Sequence, residues 1–344
     1  RGMQRPSSGA WAHGIRIGRH SRTPICWTIP GMTAQTDADG RLVHLLTLEG
    51  LPREALQALL DRAEAFAAGG DARQSLAGIA VCTLFFEPST RTRLSFQRAC
   101  QRLGADVLGF DAASSSTTKG ETARDTLRTI EAMGVRGFVV RHSGDGAVAA
   151  LAAAAAPGTV LVNAGDGRNA HPTQGLLDML TLRQALGHDF GGRSFLIVGD
   201  VLHSRVARSD LHALRTLGAG RIRVCGPPRL LPGEDVLAGC EVFHELDAAL
   251  EGVDAVMMLR LQRERMEEGL VGSLEDYHRD YGLTAARLRR AAPGAVVLHP
   301  GPMNRGVEIS DEVADGPQSL VLRQVANGVA VRMAVLERLL GGRG

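Results

Sequence analysis

Short apolar runs alternate with longer segments of helical spacing along the chain from about residue 50 onward. The helical segments predict helices at residues 91–103, 121–134, 149–156, 172–186, 204–218 and near 319–340. The apolar runs predict strands at residues 79–86, 137–141, 159–164, 194–200, 221–226, 254–259 and 295–299. Alternation of strands and helices is typical of parallel sheets with helices on both faces. The predicted fold class is therefore α/β, and ligands are expected at the carboxyl ends of the strands.

The chain of 344 residues is long enough for two domains. The helix at 172–186, with proline at its first position and glycine at its end, connects two predicted α/β halves. Residues 1–32 form an extension that we expect to be poorly ordered, rich in arginine and without a clear period; it fits a transit peptide or an upstream extension, and we favour the latter. We expect one domain at 33–170, a second at 171–318, and a last helix within 319–344 that packs back on the first domain.

The composition is that of an ordinary globular protein, with 44% apolar and 22% charged residues. A formal net charge of +2 gives no strong attraction to nucleic acid or to an anionic membrane, so the partner is expected to be a small molecule. No apolar run approaches the roughly 18 residues of a membrane span. The five cysteines lack ligand spacing, which predicts a reduced cytoplasmic protein without a metal site.

The segment FFEPSTRTRLSF at residues 85–96 places hydroxyl groups and arginines directly after a predicted strand. Ser89 to Thr92 enter a helix whose apolar face is expected to include Leu94 and Leu103. Backbone N–H groups at a helix start, joined by hydroxyls and an arginine, form a site for phosphate or carboxylate. Serine and threonine also cap helices without any ligand. We favour anion binding, because two hydroxyls flank an arginine here.

Other polar side chains also follow predicted strands. Arg141 ends the strand at 137–141, and His171 lies before Pro172 with Gln174 one turn inward. A histidine at such a helix start either has a structural role or donates a hydrogen bond to a substrate carbonyl oxygen. Further candidates are Arg205 at the start of the 204–218 helix, Arg260 and Gln262 after the strand at 254–259, and the HPGP turn at 299–302 with Gly301 and Pro302. A single glycine follows the strand at 194–200, where a dinucleotide-binding fingerprint requires three.

Lys119 is the only lysine among 39 basic residues and lies in the stretch SSSTTKGET at 114–122. A coding bias toward arginine explains the other positions. An ammonium is a compact charge with three freely placed donors, whereas a guanidinium is a planar fork. We therefore interpret Lys119 as a residue whose position requires an ammonium.

Five motifs, in this order and spacing, resemble the catalytic chains of the aspartate/ornithine carbamoyltransferase family over about residues 40–340. STRT and HPTQ are shared by both branches of that family. The arginine-x-glutamine pair and the HPGP turn resemble the aspartate branch, because the ornithine branch carries a cysteine motif at the turn. The motifs are STRTR at 89–93, KGET at 119–122, HPTQ at 171–174, RLQRER at 260–265 and HPGPMNRGVEI at 299–309.

The resemblance implies a role for each matched residue. The phosphate of carbamoyl phosphate would be bound by Ser89, Thr90, Arg91 and Thr92. The carbonyl group would be polarised by Arg91, Thr92, Arg141 and His171, and its amino group held by Gln174 and the turn with Gly301 and Pro302. Aspartate would be bound by Arg205, Arg260 and Gln262. Ser115 and Lys119 would reach into the site of a neighbouring chain.

The resemblance also implies two α/β domains with the active site in the cleft between them, residues 33–170 binding carbamoyl phosphate and 171–318 binding aspartate. The implied reaction is an early step of pyrimidine biosynthesis, with direct attack of the uncharged α-amine of L-aspartate and no metal or organic cofactor. Catalytic chains of this family form homotrimers with shared active sites. Such trimers stand alone or join regulatory or dihydroorotase-like chains.

Three alternatives differ from this interpretation. A carbamoyltransferase for ornithine would have to accept a cationic side chain beside Arg205 and Arg260, which would repel it. A non-catalytic homologue acting in assembly or regulation is disfavoured, because every motif residue is intact. A nucleotide-dependent dehydrogenase is disfavoured by the missing glycines.

Overall fold

The computed structural model describes residues 35–71, 73–111, 120–261 and 272–342. The extension predicted at 1–32, and the predicted site residues Ser115, Lys119 and Gln262, lie outside these ranges. The strands within them are β1 Ala80–Phe85, β2 Asp106–Asp111, β3 Gly137–His142, β4 Val160–Asp166, β5 Ser194–Val198, β6 Arg221–Cys225, β7 Glu241–Phe243, β8 Ala255–Met258 and β9 Val296–Leu298.

The described helices alternate with these strands. The longer ones are α1 Arg53–Ala67, α2 Thr90–Leu103, α3 Ala123–Ala132, α4 Ala147–Ala154, α5 Pro172–Leu186 and α6 Arg205–Leu217. The remaining ones are α7 Leu246–Leu250, α8 Leu274–Tyr281, α9 Ala285–Leu288, α10 Asp311–Ala314 and α11 Val321–Leu340, with a short 3-10 helix at Pro228–Leu230. No helix of the described chain is both long enough and apolar enough to cross a membrane.

Two parallel sheets organise the molecule. The first has the strand order β2-β1-β3-β4, and the second has the order β7-β6-β5-β8-β9. Every paired strand runs parallel to its neighbour. The predicted α/β fold class is confirmed, and each of the seven predicted strands is present.

Two of the four edge strands, β2 and β7, and five helices, α1 and α7 to α10, were not predicted from the sequence. β2 and β7 each pair on one side only, β7 is just three residues long, and neither reads as a continuous apolar run. The prediction that Leu94 belongs to the apolar face of α2 is wrong, because its side chain is 55% exposed. The buried face of α2 instead follows the spacing Thr92, Phe96, Ala99, Cys100 and Leu103, which leaves position 94 on the opposite side of the helix.

Two helices join the halves of the chain. α5 connects β4 to β5, and all residues from Pro172 to Arg183 are buried. α11 follows the second sheet but packs against α1, α2 and α5. Its inner face adds Ala330, Val331, Ala334 and other apolar residues to the core that covers the first sheet.

Candidate active site

A cleft of about 950 Å³ lies where strands of both sheets end. Segments that follow β1, β3, β4, β5, β8 and β9 line it, which is where ligands bind in parallel sheets. Six arginines and three carboxylates are among the lining residues, so the cleft has an excess of positive charge. All predicted site residues within the described ranges line this cleft: Ser89, Thr90, Arg91, Thr92, Arg141, His171, Gln174, Arg205, Arg260, Gly301 and Pro302.

The start of α2 forms one wall of the cleft. Ser89 precedes the helix in an extended conformation, but its side chain makes no capping hydrogen bond. The first helical N–H groups therefore point to the cleft beside the hydroxyls of Ser89 and Thr90. This arrangement suits an anion better than it suits simple capping.

Arg91 extends from that helix toward the opposite wall. Burial and the positive charge of Arg260 lower the pKa of Arg91, and no carboxylate of the described residues pairs with it. Gly301 has a φ of +64°, and a Cβ at that position would lie 2.7 Å from the Arg91 guanidinium carbon. The glycine of the HPGP turn is thus required for the close approach of the two walls.

Glu87 holds two arginines together at the centre of the cleft. Arg141 Nη2 donates to Glu87 Oε1 at 2.7 Å, and Arg205 Nη2 donates to the same oxygen at 2.8 Å. Burial opposes ionisation of Glu87, but Arg205 and Arg141 together lower its pKa. Glu87 was not predicted as a site residue, although a lone acid between a strand end and an anion site was a usable signal. Its contacts show that Arg205 of the second half reaches Arg141 of the first.

Arg141 is held firmly at the end of β3. Its Nη1 donates to the Ala164 carbonyl oxygen at 3.0 Å, and burial lowers its pKa to about 10. Gly165, with a φ of +115°, lets the chain pass so close that a Cβ there would lie 2.8 Å from Arg141 Nη1. The guanidinium is therefore fixed in place before any ligand binds.

His171 directly precedes α5, and its backbone N–H donates to Ser209 Oγ at 2.9 Å. Burial, together with the charges of Arg141, Arg205 and Arg332, lowers the pKa of His171 well below its usual range. Its Nδ1 atom is buried without a hydrogen-bond partner among the described residues. A neutral imidazole can donate one hydrogen bond without adding charge, which suits a group that polarises a carbonyl.

Only one cluster of the described residues has the spacing of a metal site, and it lies outside the cleft. Asp61, Glu64 and His188 bring their ligand atoms together on the surface. Arg183 already contacts all three of these side chains. The cluster is accounted for as an ion-pair network.

Family models match nearly the whole described chain. The carbamoyl-phosphate-binding domain of aspartate/ornithine carbamoyltransferases matches residues 43–184. The aspartate/ornithine-binding domain matches residues 191–339. The chain belongs to the aspartate/ornithine carbamoyltransferase family. The cleft described above lies between the segments that these two models match.

Curated relatives within this carbamoyltransferase family are similar over their full length. The aspartate carbamoyltransferase catalytic subunit of Stenotrophomonas maltophilia (strain R551-3) is 74% identical over 316 residues, which is 90% of this chain and 100% of that protein. The subunit of the same name from Xanthomonas axonopodis pv. citri (strain 306) is 74% identical over 313 residues, covering 90% of this chain and 99% of that protein.

Solved structures of both branches share the fold. Aspartate transcarbamoylase from Trypanosoma cruzi, in complex with carbamoyl phosphate and aspartate, matches with a TM-score of 0.77 at 31% identity, over 89% of this chain and 99% of that chain. Ornithine carbamoyltransferase from Thermus thermophilus also has a TM-score of 0.77, at 29% identity, over 86% of this chain and 98% of that chain. The fold alone therefore does not distinguish the two acceptors.

Proposed function

We propose that this protein transfers the carbamoyl group of carbamoyl phosphate to the α-amine of L-aspartate, which gives N-carbamoyl-L-aspartate and phosphate for pyrimidine biosynthesis. The observation that carries the proposal is a single cleft in which Arg91, Arg141 and His171 face Arg205 and Arg260. The 74% identity to catalytic subunits named for this reaction supports the aspartate branch. We assign carbamoyl phosphate to residues 33–170 and aspartate to residues 171–318.

The reaction needs no covalent intermediate on the protein. The uncharged amine of aspartate attacks the carbamoyl carbon, and the carbonyl oxygen gains negative charge. As that charge collapses, the C–O bond to phosphate breaks, and the departing phosphate takes up the proton that the amine loses. We assign Arg91, Thr92 and the neutral His171 to the developing oxyanion, and Arg91, Arg141 and Lys119 to the departing phosphate. Alignment of the two substrates supplies a further part of the rate, about 7 to 11 kcal/mol of the barrier.

Acceptor choice follows from charge. Two arginines match the two carboxylates of aspartate, since guanidinium groups bind carboxylates in pairs of hydrogen bonds. Arg205 lies in the cleft with Glu87 as its counter-ion, 2.8 Å away, so a substrate carboxylate competes with an anion already there. The cationic chain of ornithine would instead be repelled by Arg205 and Arg260.

The purified protein should release phosphate from carbamoyl phosphate when L-aspartate is present. L-ornithine should not replace aspartate, and kcat/KM for aspartate should exceed that for ornithine by at least about a thousandfold, since a like charge in place of a bound carboxylate costs several kcal/mol. Phosphate release and the carbamoylated product are measured together. A preference for ornithine would refute the acceptor assignment.

We further propose that three copies of the chain form a homotrimer in which Ser115 and Lys119 of one copy serve the next copy's site. The described cysteines are free thiols, which supports a reducing, cytoplasmic setting for this assembly. The native mass of the complex from its source would reveal any regulatory or dihydroorotase-like chains that join it.

Hybrid trimers test the shared site. Lys119→Gln and His171→Ala trimers should each be inactive, whereas mixing and reassembly of the two should restore activity, because some sites then receive both native residues. In a random mixture each interface that joins a native Lys119 to a native His171 restores one site. Recovery is measured after brief denaturation and joint refolding, with each variant refolded alone as the control. Lack of any recovery in properly assembled hybrids would exclude sharing.

A further inference from the structure

Two aspartates lie side by side beneath the cleft. Asp178 on α5 and Asp210 on α6 are 0% and 1% exposed. No N–H or hydroxyl group of the described residues donates a hydrogen bond to either carboxylate oxygen of Asp210. Two buried carboxylates in contact cannot both remain ionised, because their repulsion adds to the cost of desolvation. The mechanism described above uses neither residue.

Asp178 accepts hydrogen bonds from two amide side chains that line the cleft. Gln174 Nε2 lies 3.1 Å and 3.2 Å from the two carboxylate oxygens of Asp178. Gln324 Nε2, on α11, donates to Asp178 Oδ1 at 2.6 Å. The Gln324 orientation is fixed independently, because its Oε1 accepts the His299 backbone N–H at 2.9 Å.

These contacts determine which atom of Gln174 a ligand meets. Since Nε2 of Gln174 is engaged by Asp178, Oε1 is the amide atom left for the cleft. A carbonyl oxygen accepts hydrogen bonds, so it suits the amino group of a carbamoyl ligand and does not suit a phosphate oxygen. Through Gln324 the same carboxylate also anchors the first residue of the HPGP turn, whose Gly301 contacts Arg91.

The charged groups that face Asp178 come from two helices. Asp210 faces it from α6, and Arg332 faces it from α11, where burial lowers the Arg332 pKa to about 10. His171, which directly precedes the helix of Asp178, is kept neutral by burial and nearby arginines. From α1 and β4, the carboxylates of Asp61 and Asp166 are engaged elsewhere, with Arg183 and with Asn163 respectively.

We propose that Asp178 and Asp210 share one proton and act as positioning residues, which present the Gln174 carbonyl oxygen to the carbamoyl amino group. This inference deepens the proposed function and rests on it. Asp210 carries the proton and donates it in a hydrogen bond to ionised Asp178. When Asp178 also becomes protonated, the two glutamine amides lose their anionic acceptor and Gln174 is free to turn its N–H groups to the ligand.

The pair therefore sets a pH limit on ligand binding. Burial raises the pKa of Asp178 to about 7, while hydrogen bonds from Gln324, Gln174 and Asp210 oppose that rise. Burial and the neighbouring Asp178 raise the pKa of Asp210 well above its usual range. The affinity for carbamoyl phosphate should thus fall as the pH is lowered and Asp178 becomes protonated. We call this fall the acid limb of the binding curve. The affinity for inorganic phosphate should not show it.

Calorimetric titration of carbamoyl phosphate and of inorganic phosphate, across pH and without acceptor, tests this pair. Asp178→Asn should weaken carbamoyl phosphate binding at least about tenfold and abolish the acid limb, because it removes a charged hydrogen-bond acceptor. Inorganic phosphate, which has no amino group, should bind nearly as well as to the unaltered protein. Equal losses for both ligands at every pH would show a merely structural role and overturn the proposal.

Two variants of Asp210 distinguish its role as a proton donor from a role in packing. Asp210→Leu removes the donor and should move the acid limb of carbamoyl phosphate binding up by about one pH unit. Asp210→Asn, which keeps a neutral donor, should return the limb toward its original position. Glu131→Gln serves as a matched control, because Glu131 is a buried carboxylate outside the cleft that accepts from Ala156 and Thr159. If Asp210→Leu leaves the limb in place, the shared proton is refuted.

An infrared difference spectrum gives a readout without any substrate. At a pH well above 7, where Asp178 is ionised, the protonated carboxyl band should be lost in Asp210→Asn and kept in Glu131→Gln. Its persistence in Asp210→Asn would refute the assignment of the proton, whatever the transfer assay shows. Failure of the unaltered protein to bind carbamoyl phosphate would instead count against the proposed function.

Discussion

Replacing Arg91 with alanine should lower kcat by about a hundredfold to a thousandfold, because the oxyanion and the departing phosphate would lose their shared guanidinium. Arg91 is placed for this role by three features: its position in the first turn of α2, the absence of a paired carboxylate among the described residues, and its approach to Gly301. Arg91→Lys should recover little of the rate, since an ammonium cannot reproduce a planar fork of donors.

Steady-state rates with both substrates saturating measure the Arg91 effect. Arg98→Ala is the matched control, because Arg98 is an exposed arginine of the same helix that does not line the cleft. A loss confined to the KM for carbamoyl phosphate, with kcat unchanged, would mean that Arg91 binds the ground state only.

Arg260→Ala should raise the KM for aspartate by roughly tenfold to a hundredfold, the range expected for a lost charged hydrogen bond. Arg260 follows β8 and lines the cleft from the second half. Its positive charge contributes to the lowered pKa of Arg91 on the other wall. The KM for carbamoyl phosphate should change far less, because the phosphate-binding residues all belong to the first half.

The comparison of the two KM values decides the role of Arg260. Arg279→Ala provides the control, since Arg279 is an exposed arginine of the second half whose guanidinium pairs with Asp276 and Asp280. Equal increases in both KM values would show that Arg260 does not discriminate between the substrates and would contradict its assignment to aspartate.

Central elements were predictable from the sequence because burial on two faces leaves an unambiguous pattern. β1, β3, β5 and β8 lie inside their sheets and consist almost wholly of buried apolar residues, so each stands out as a continuous run. β2 is interrupted by Gly109 and bounded by Asp106 and Asp111, and β7 has only three residues, so neither forms a continuous apolar run. The edge strands β4 and β9 are fully buried and were predicted. Leu94 was wrongly assigned to the buried face of α2, because one apolar residue does not define a helix face.

Site residues that lie at strand ends were predictable, whereas residues that act through tertiary contacts were not. Arg141 lies near the end of β3, and Arg205 begins the helix that follows β5. Their shared partner Glu87 could be assigned only from the three-dimensional contacts. Asp178 left a weak signal, because it is the one charged residue in the apolar stretch GLLDML at 175–180. Its contacts with Gln324 span 146 positions of sequence, which no local pattern encodes.

The return of α11 to the first half has a consequence for modularity. The helix covers α1 and α2 with apolar side chains and supplies Gln324 and Arg332 to the cleft. A fragment that ended after β4 would expose that apolar surface, and a fragment that began at α5 would carry a helix without its partner. The chain therefore has no single point at which one cut yields two self-sufficient pieces, because its first half is completed by a helix that follows the second half in the sequence.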